Sequence, residues 1–208
     1  MKKSKSLRKK SDSPALRLGI FGATFDPPHL GHLIAAEFAA EELRLDEILL
    51  IPANLNPLKI QHQPAPPEIR LEMVKAAAAS RPKFKVSDLE LKRGGVSYMI
   101  DTIRQLQKNH PPHTAFYLLL GTDAAAEFLK WKKYQSLAEI CTITVLDRPG
   151  WNISLVLQKL QIPFLYLKMP LIDISSSLIR ERVAQGKPID FLTIPGVVEI
   201  IRREKLYS

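Results

Sequence analysis

The 208-residue sequence predicts an α/β fold in which a doubly wound parallel sheet is the middle of three layers. One observation and one general rule support this prediction. Short apolar runs that suit buried strands alternate along the chain with longer segments of helical composition or spacing. Strands separated by helices are joined by right-handed crossovers, which make neighbouring strands parallel. We expect residues 15–208 to form a single domain, because no linker or internal repeat divides them.

The first half of the chain supplies three predicted strands and two predicted helices. LRLGIF (16–21), which is followed by Gly22, is typical of a buried strand. HLIAAEFAAEEL (32–43) is rich in residues that favour helix, and EILLIP (47–52) is a strand closed by proline. PEIRLEMVKAAAAS (67–80) predicts a helix with proline near its first turn. The alternation in FKVSDLEL (84–91) predicts a third strand.

The second half continues the same alternation. SYMIDTIRQLQKN (97–109) has apolar residues at helical spacing. Three apolar runs are predicted to be strands, the first of them followed directly by a helix: TAFYLLL (114–120), ICTITVL (140–146) and FLYLK (164–168). ISSSLIRERVAQG (174–186) begins with serines and ends with glycine, as helices commonly do. PGVVEIIRREKL (195–206) predicts the terminal helix.

Charge and composition exclude several classes of protein. The net charge is +9, but residues 1–10 hold six basic and no acidic side chains, so the remainder carries only +3. We predict that residues 1–14 are a disordered basic tail, because they hold too few apolar residues to fold alone. Apart from a loose contact of this tail with RNA, the nearly balanced body argues against a nucleic-acid interface.

The apolar segments also bear on location. None approaches the roughly 18 residues that span a bilayer, so we do not expect a membrane protein. The basic N-terminus has no apolar stretch behind it and is not a secretory signal. The single Cys141 lies in an apolar run, which predicts a reduced core thiol in a cytoplasmic protein.

The predicted ligand site lies beyond the carboxyl ends of the strands, where the strand order reverses. Three loops reach that rim: GATFDPPHLGH (22–32), GTD (121–123) and DRPG (147–150). A loop between a buried strand and a helix aims free N–H groups and the positive helix end outward, which suits phosphate. His29 and His32 are three residues apart and become neighbours if the second lies in the first helical turn.

Three interpretations of this histidine pair remain open from the residues alone. The rings could cap and pack against the helix. They could bind a metal with Asp26, although the chain offers no convincing fourth ligand. They could instead donate hydrogen bonds to phosphate oxygens and stabilise the charge that grows during group transfer. The serines and arginine of ISSSLIR (174–180), at a helix start, suit phosphate in the same way.

These two segments resemble the two signatures of the nucleotidylyltransferase superfamily, the first ending in His-x-Gly-His. Within the superfamily, the chain is most similar to the bacterial nicotinate-nucleotide adenylyltransferases. This likeness rests on RGGVSYMIDTI (93–103), LLGTDAAAEFLKWKKYQSL (119–137), DRPG and IRREKLY (201–207). The resemblance implies a Rossmann-like nucleotidylyltransferase fold. It also implies transfer of the adenylyl group of ATP to nicotinate mononucleotide, giving nicotinate adenine dinucleotide and pyrophosphate in NAD biosynthesis.

The resemblance implies a role for each matching residue. The catalytic residues would be His29, His32 and Arg180. Contacts to ATP would come from Gly22, Ala23, Thr24, Phe25, His29, His32, Gly121, Asp123, Arg148, Ser175, Ser176, Ser177 and Arg180. The mononucleotide would be held by Lys59, Met99, Trp131 and Lys132, with Trp131 stacked on the pyridine ring. Mg²⁺ is expected to bridge the phosphates with ligands partly from ATP, and no carboxylate motif marks a protein-built metal site.

The sequence departs from the family pattern at several of these positions. Ala23, Met99 and Lys132 replace a common glycine, threonine and aromatic residue, and Leu58 replaces a family histidine. These changes leave the acceptor open, with nicotinamide mononucleotide, phosphopantetheine or an alcohol phosphate as alternatives. A nucleotide- or RNA-binding protein and a metal hydrolase are the rival classes. The expected partners are ATP and nicotinate mononucleotide, with no membrane, and the oligomeric state stays open, a homo-oligomer included.

Overall fold

The structure, a computed structural model, describes residues 16–58, 63–79 and 81–208. Within these ranges six parallel strands form one sheet in the order β3-β2-β1-β4-β5-β6. The strands are β1 (Arg17–Ala23), β2 (Glu47–Pro52), β3 (Phe84–Val86), β4 (Ala115–Gly121), β5 (Thr142–Leu146) and β6 (Leu165–Leu167). The prediction of a doubly wound parallel sheet is confirmed.

Helices connect the strands and cover both faces of the sheet. In chain order they are α1 (Leu30–Glu42), α2 (Pro67–Ala78), α3 (Leu89–Arg93), α4 (Met99–Asn109), α5 (Thr122–Ala126), α6 (Tyr134–Ile140), α7 (Ile153–Lys159), α8 (Ser176–Ala184) and α9 (Pro195–Arg203). One face packs against α4, α6 and α7, and the other against α1 and α2. Strands buried on both faces explain why their sequences are continuously apolar.

A third apolar cluster joins the C-terminal helices to the rest of the protein. Met73 and Ala77 of α2 pack against Ile179 of α8 and against Val197 and Ile201 of α9. This packing brings residues near the end of the chain close to the loop that follows β1. In the described part of the chain, no helix has the length and apolar character that a membrane span needs.

The third strand is shorter than predicted. The strand ends at Val86, and Leu89–Arg93 forms α3, so the expected strand over 84–91 is wrong beyond its first three residues. The alternation of apolar and polar residues did not distinguish a half-buried strand from a short helix. Gly94, with φ of 68°, ends α3 in a conformation that glycine adopts without strain.

The segment between β4 and β5 also differs in detail from the prediction. One helix was expected directly after β4, whereas α5, a 3₁₀ turn at Phe128–Lys130 and α6 follow one another there. Helix α7, between β5 and β6, was not predicted at all.

Because β2 and β4 lie on opposite sides of β1, the strand order reverses at β1 and β4, and a crevice opens beyond their carboxyl ends.

Candidate active site

A cavity of about 840 Å³ lies at this crevice, beyond the carboxyl ends of the strands. Its wall includes all three loops that the sequence placed at the rim, together with the start of α8. A volume of this size suits a ligand as large as a nucleotide. Residues from distant parts of the sequence, such as His32, Arg148 and Ser176, therefore border one space.

The two histidines are neighbours at the start of α1. His29 is the N-cap residue and His32 lies in the first turn, with their ring centroids 3.7 Å apart. The backbone N–H of His29 donates to Nδ1 of His32 at 3.2 Å. Because Nδ1 accepts, a neutral His32 ring carries its proton on Nε2 and can donate from that atom. The edges of Phe25 and Phe21 pack on His32, with centroids at 5.0 and 5.9 Å, and fix its orientation.

His29 is nearly enclosed, with only 3% of its surface exposed. Burial lowers the pKa of His29 to about 3, and the nearby positive charge of Arg148 adds to this effect. His29 is therefore neutral near pH 7, and a neutral imidazole still offers one N–H donor. The ring can contribute a dipole to a phosphate, but it does not bring a positive charge.

The start of α8 meets the histidine loop directly. The Oγ of Ser176 donates to the carbonyl of Pro27 at 2.8 Å, and Nη1 of Arg180 donates to the carbonyl of Asp26 at 2.8 Å. Arg180 also donates from Nη2 to Oγ of Ser177 at 3.1 Å. The Oγ of Ser175 caps the helix by accepting from Leu178 N–H at 3.1 Å. The N–H groups of Ser176 and Ser177, in the first turn, have no intrahelical acceptor and border the cavity.

Gly121, Asp123 and Arg148 are among the residues that border the cavity at the ends of β4 and β5. Nη1 of Arg148 lies 3.1 Å from Oδ2 of Asp123, an ion pair about two-thirds buried. A Cβ at Gly121 would lie 2.5 Å from Oδ1 of Asp123 and 2.7 Å from Cδ of Arg148, so the pair closes directly over this glycine. Only glycine fits at position 121 with the ion pair in place. The pair fixes the guanidinium beside the cavity, where it can meet an anion.

The wall of the cavity also includes Met99, Trp131 and Lys132. Met99 is the first residue of α4, so its N–H is free of intrahelical bonds. The Lys132 ammonium lies 3.1 Å from Oδ2 of Asp101 and 4.1 Å from the centre of the Tyr98 ring. The Trp131 ring packs on Phe128 with centroids 5.4 Å apart. Lys59 lies outside the described residues.

Comparison with known proteins agrees with this geometry. A model of the Cytidylyltransferase-like family matches residues 20–182. A probable nicotinate-nucleotide adenylyltransferase of Shouchella clausii is 39% identical over 92% of this chain and 97% of its own length. Another, from Roseiflexus sp. strain RS-1, is 42% identical over 91% of this chain and 97% of its own length.

The chain belongs to the nicotinate-nucleotide adenylyltransferase family.

Solved structures add the fold of this family. A Plasmodium falciparum nicotinic acid mononucleotide adenylyltransferase complexed with APC has a TM-score of 0.75 at 20% identity, over 92% of this chain and 96% of the other. The same protein complexed with NaAD has a TM-score of 0.74 at 20% identity, over 92% of this chain and 97% of the other. At this identity the likeness is one of fold, and the Rossmann-like nucleotidylyltransferase architecture is confirmed.

All of the described residues that the sequence nominated for the adenylyltransferase site border the cavity. The roles assigned to them remain predictions, and two details refine those roles. Phe25 is only 2% exposed, so little of this residue is open to a ligand. The hydroxyl hydrogen of Ser176 is donated to Pro27, so Ser176 meets a phosphate through its backbone N–H.

Sequence reasoning missed Arg70, which is completely buried beside the loop. Its guanidinium donates to the carbonyls of Thr24, Ala53 and Ala65 at 2.9, 2.6 and 2.9 Å. A fourth bond reaches the carbonyl of Asn54 at 3.3 Å. A signal was present, because Arg70 occupies the apolar stripe that continues through Met73, Val74 and Ala77 of α2. A charged residue in such a stripe indicates a buried polar network.

The depressed pKa of His29 predicts an acid sensitivity of the fold. Between the usual value of 6.5 and about 3, the unfolded chain binds a proton on this ring and the folded protein does not. Protonation of His29 therefore has no effect on the free energy of unfolding above about pH 6.5. As the pH falls below this value, it lowers the free energy of unfolding by up to about 1.4 kcal/mol per pH unit. We expect His29→Asn to reduce the pH slope of the unfolding free energy in this window by close to one proton.

Urea unfolding near neutrality and about two pH units lower measures that slope. His113→Asn, which changes an exposed ring in the loop before β4, is the control for the loss of a histidine elsewhere. Equal slopes for His29→Asn and the wild-type protein would contradict the neutral, buried state of His29.

Proposed function

We propose that this protein transfers the adenylyl group of ATP to nicotinate mononucleotide, giving nicotinate adenine dinucleotide and pyrophosphate. The observation that carries this proposal is the meeting of the histidine pair and the α8 tip at one cavity. Both suit phosphate, and they come from opposite ends of the sequence. The family named for the relatives at 39% and 42% identity supports the same reaction.

The reaction is an in-line displacement at the α-phosphorus of ATP. A phosphate oxygen of the mononucleotide forms the new P–O bond, and the bond to the pyrophosphate oxygen breaks with its electron pair. The attacking phosphate is already an anion, so no side chain has to remove a proton. The protein's task is to hold two polyanions in line and to neutralise the charge on the leaving group.

The residues divide this task between them. Nε2–H of His32 and the first-turn N–H groups of α8 donate to the triphosphate. Arg180 adds a positive charge at the same place, and its bonds to Asp26 and Ser177 hold its guanidinium still. Arg148, held by Asp123, meets the nucleotide from the other side. Pre-positioned donors of this kind stabilise a transition state without reorganising during the reaction.

Magnesium enters this proposal as part of the MgATP substrate. Among the described residues, no group of three or more histidine, cysteine, aspartate or glutamate side chains is arranged to hold a metal. Asp26, three residues before His29, accepts from the Tyr207 hydroxyl at 2.7 Å and from Ala65 N–H at 3.1 Å. We therefore assign the ion's ligands to the phosphates and water, as is common for Mg²⁺.

The pyridine ring is assigned to the end of the cavity near Trp131. Its flat indole offers a stacking face, and the N–H of Met99 at the start of α4 suits a carboxylate. The Met99 methyl lies where a side chain at Gly22 would be, 2.5 Å from a Cβ built there. The Met99 side chain thus lies between the loop after β1 and the pyridine end of the cavity. Its backbone N–H binds the nicotinate carboxylate. We also place the reaction in the cytoplasm, in keeping with the single, buried and reduced Cys141.

An acceptor titration tests the assignment. With MgATP present, we expect pyrophosphate release to require nicotinate mononucleotide and to be faster with it than with nicotinamide mononucleotide. Phosphopantetheine and a simple alcohol phosphate complete the acceptor set. Faster turnover with the amide than with the acid would overturn the choice of acceptor but not the reaction class. Absence of pyrophosphate release with every acceptor would overturn the adenylyl transfer itself.

A further inference from the structure

The turn that precedes the histidines is held in place by side chains from other parts of the protein. Four carbonyls of this turn, residues 24–28, each accept a hydrogen bond from a distant side chain. The donors, in the order of the carbonyls of Thr24, Asp26, Pro27 and Pro28, are Arg70, Arg180, Ser176 and Thr193. Pro27 and Pro28 have no N–H, so the turn cannot close through their amides.

Two hydrogen bonds to this turn come from the C-terminal segment: the one from Thr193 to the carbonyl of Pro28, and a further one from Tyr207 to the side chain of Asp26. Thr193 is buried, with 3% of its surface exposed. Its hydroxyl donates to the carbonyl of Pro28, the residue before His29, at 2.8 Å. The Tyr207 hydroxyl donates to Oδ1 of Asp26 at 2.7 Å. Neither residue borders the cavity, so neither touches a substrate bound there.

Asp26 is the point at which the C-terminal segment meets the turn. Its side chain is 3% exposed, and Nη1 of Arg180 lies 3.8 Å from its Oδ2. A buried carboxylate is costly unless donors satisfy it. Removal of the Tyr207 hydroxyl takes one hydrogen bond away from Oδ1 of this carboxylate.

Tyr207 is well suited to remain a donor. Burial raises its pKa well above the usual range, and the negative charge of Asp26 raises it further. The hydroxyl therefore stays protonated at any pH at which the enzyme works. The backbone of Tyr207 has φ of 64°, a conformation that costs a tyrosine free energy and persists only when its surroundings hold it.

We propose that Thr193 and Tyr207 are positioning residues of the adenylyl transfer, which hold Pro28 and Asp26 so that the two histidines meet the triphosphate in line. The inference rests on the proposed function, since it concerns the same site. Catalysis by positioned donors is sensitive to displacement, because a shift of about 1 Å can lower the rate roughly a hundredfold. The hydroxyls act through the turn and not through the ligand.

Two nearly isosteric variants test this role, Tyr207→Phe and Thr193→Val. For each we expect kcat to fall about tenfold, the effect of losing one hydrogen bond to a charged or buried acceptor. The KM for nicotinate mononucleotide should stay within about twofold, because an interaction realised in the transition state affects kcat and not ground-state binding. Ser208→Ala is the control, since its hydroxyl donates only to the carbonyl of Lys205 in the same segment.

The assays are run well below the melting temperature of every variant, so that loss of folded protein does not contribute. Wild-type kcat in both isosteric variants would overturn the inference. A KM for the mononucleotide that rises as much as kcat falls would also overturn it, because that result indicates a binding defect. If the wild-type protein releases no pyrophosphate with any acceptor, the proposed function is wrong. The wild-type measurement alone shows this, so it is distinct from a failure of the positioning role.

A double-mutant cycle decides whether Tyr207 acts through Asp26. Asp26→Asn keeps an acceptor oxygen but removes its charge, so the bond from Tyr207 becomes a weaker, neutral one. In the Asp26→Asn background we expect Tyr207→Phe to change kcat by less than about threefold. The same tenfold loss in both backgrounds would show that Tyr207 does not act through this carboxylate.

Discussion

His32→Ala is expected to lower kcat by a factor of about a hundred to a thousand, the cost of removing one donor aimed at transition-state charge. The His32 ring borders the cavity, and its Nδ1 is occupied by the backbone N–H of His29, which leaves Nε2–H as the donor. The measurement is pyrophosphate release with saturating MgATP and nicotinate mononucleotide. Circular dichroism confirms that the variant is folded.

The result separates an enzyme from a nucleotide-binding protein on the same fold. A binding protein would keep its affinity for ATP and would have no turnover to lose. His113→Ala, at an exposed position before β4, is the matched control and should retain the wild-type rate. If His32→Ala keeps more than about a tenth of the wild-type kcat, the His32 ring does not stabilise the transition state.

Arg70→Met is expected to lower the free energy of unfolding by about 3–5 kcal/mol. Methionine replaces much of the volume of the buried side chain but donates no hydrogen bonds. The carbonyls of Thr24, Ala53 and Ala65 then lose this donor, and the bonds to Ala53 and Ala65 are buried. Unsatisfied buried carbonyls are costly, and the turn before His29 loses one of its supports.

Urea unfolding of Arg70→Met measures this loss. Lys75→Met, an exposed change in the same helix, is the control and should alter stability by less than about 0.5 kcal/mol. A loss below about 1 kcal/mol for Arg70→Met would mean that the surrounding backbone finds other donors.

Regularities along the chain predicted most of the fold. Strands buried on both faces read as apolar runs, and helices show their own spacing, so β1, β2, β4 and β5 lie where the sequence placed them. The third strand shows the limit of this reasoning. A short alternating stretch does not distinguish strand from helix. In α3 the buried Glu90 accepts a hydrogen bond from Thr102 Oγ1 of α4 at 2.6 Å, and the local sequence does not indicate this contact between helices.

The residues that border the cavity were predicted from motifs, but the residues that support them were not. The bonds from Ser176, Arg180 and Tyr207 to the turn join positions 149, 154 and 181 residues apart. No local spacing indicates such contacts, because they follow from the packing of α8 and α9 beside α2. For Arg70 the sequence does contain a signal, because a charged side chain in the apolar stripe of a helix indicates a buried polar network.

The meeting of the early histidine loop with much later residues has a consequence for protein synthesis. The ribosome makes the loop long before it makes Ser176, Arg180, Thr193 and Tyr207, the residues that hold it. A chain released part-way through translation therefore contains the two histidines but lacks the later residues whose hydrogen bonds hold the loop in position. We expect such a fragment to release no pyrophosphate from ATP, and turnover to begin only after the C-terminal residues have been made and have packed against the loop.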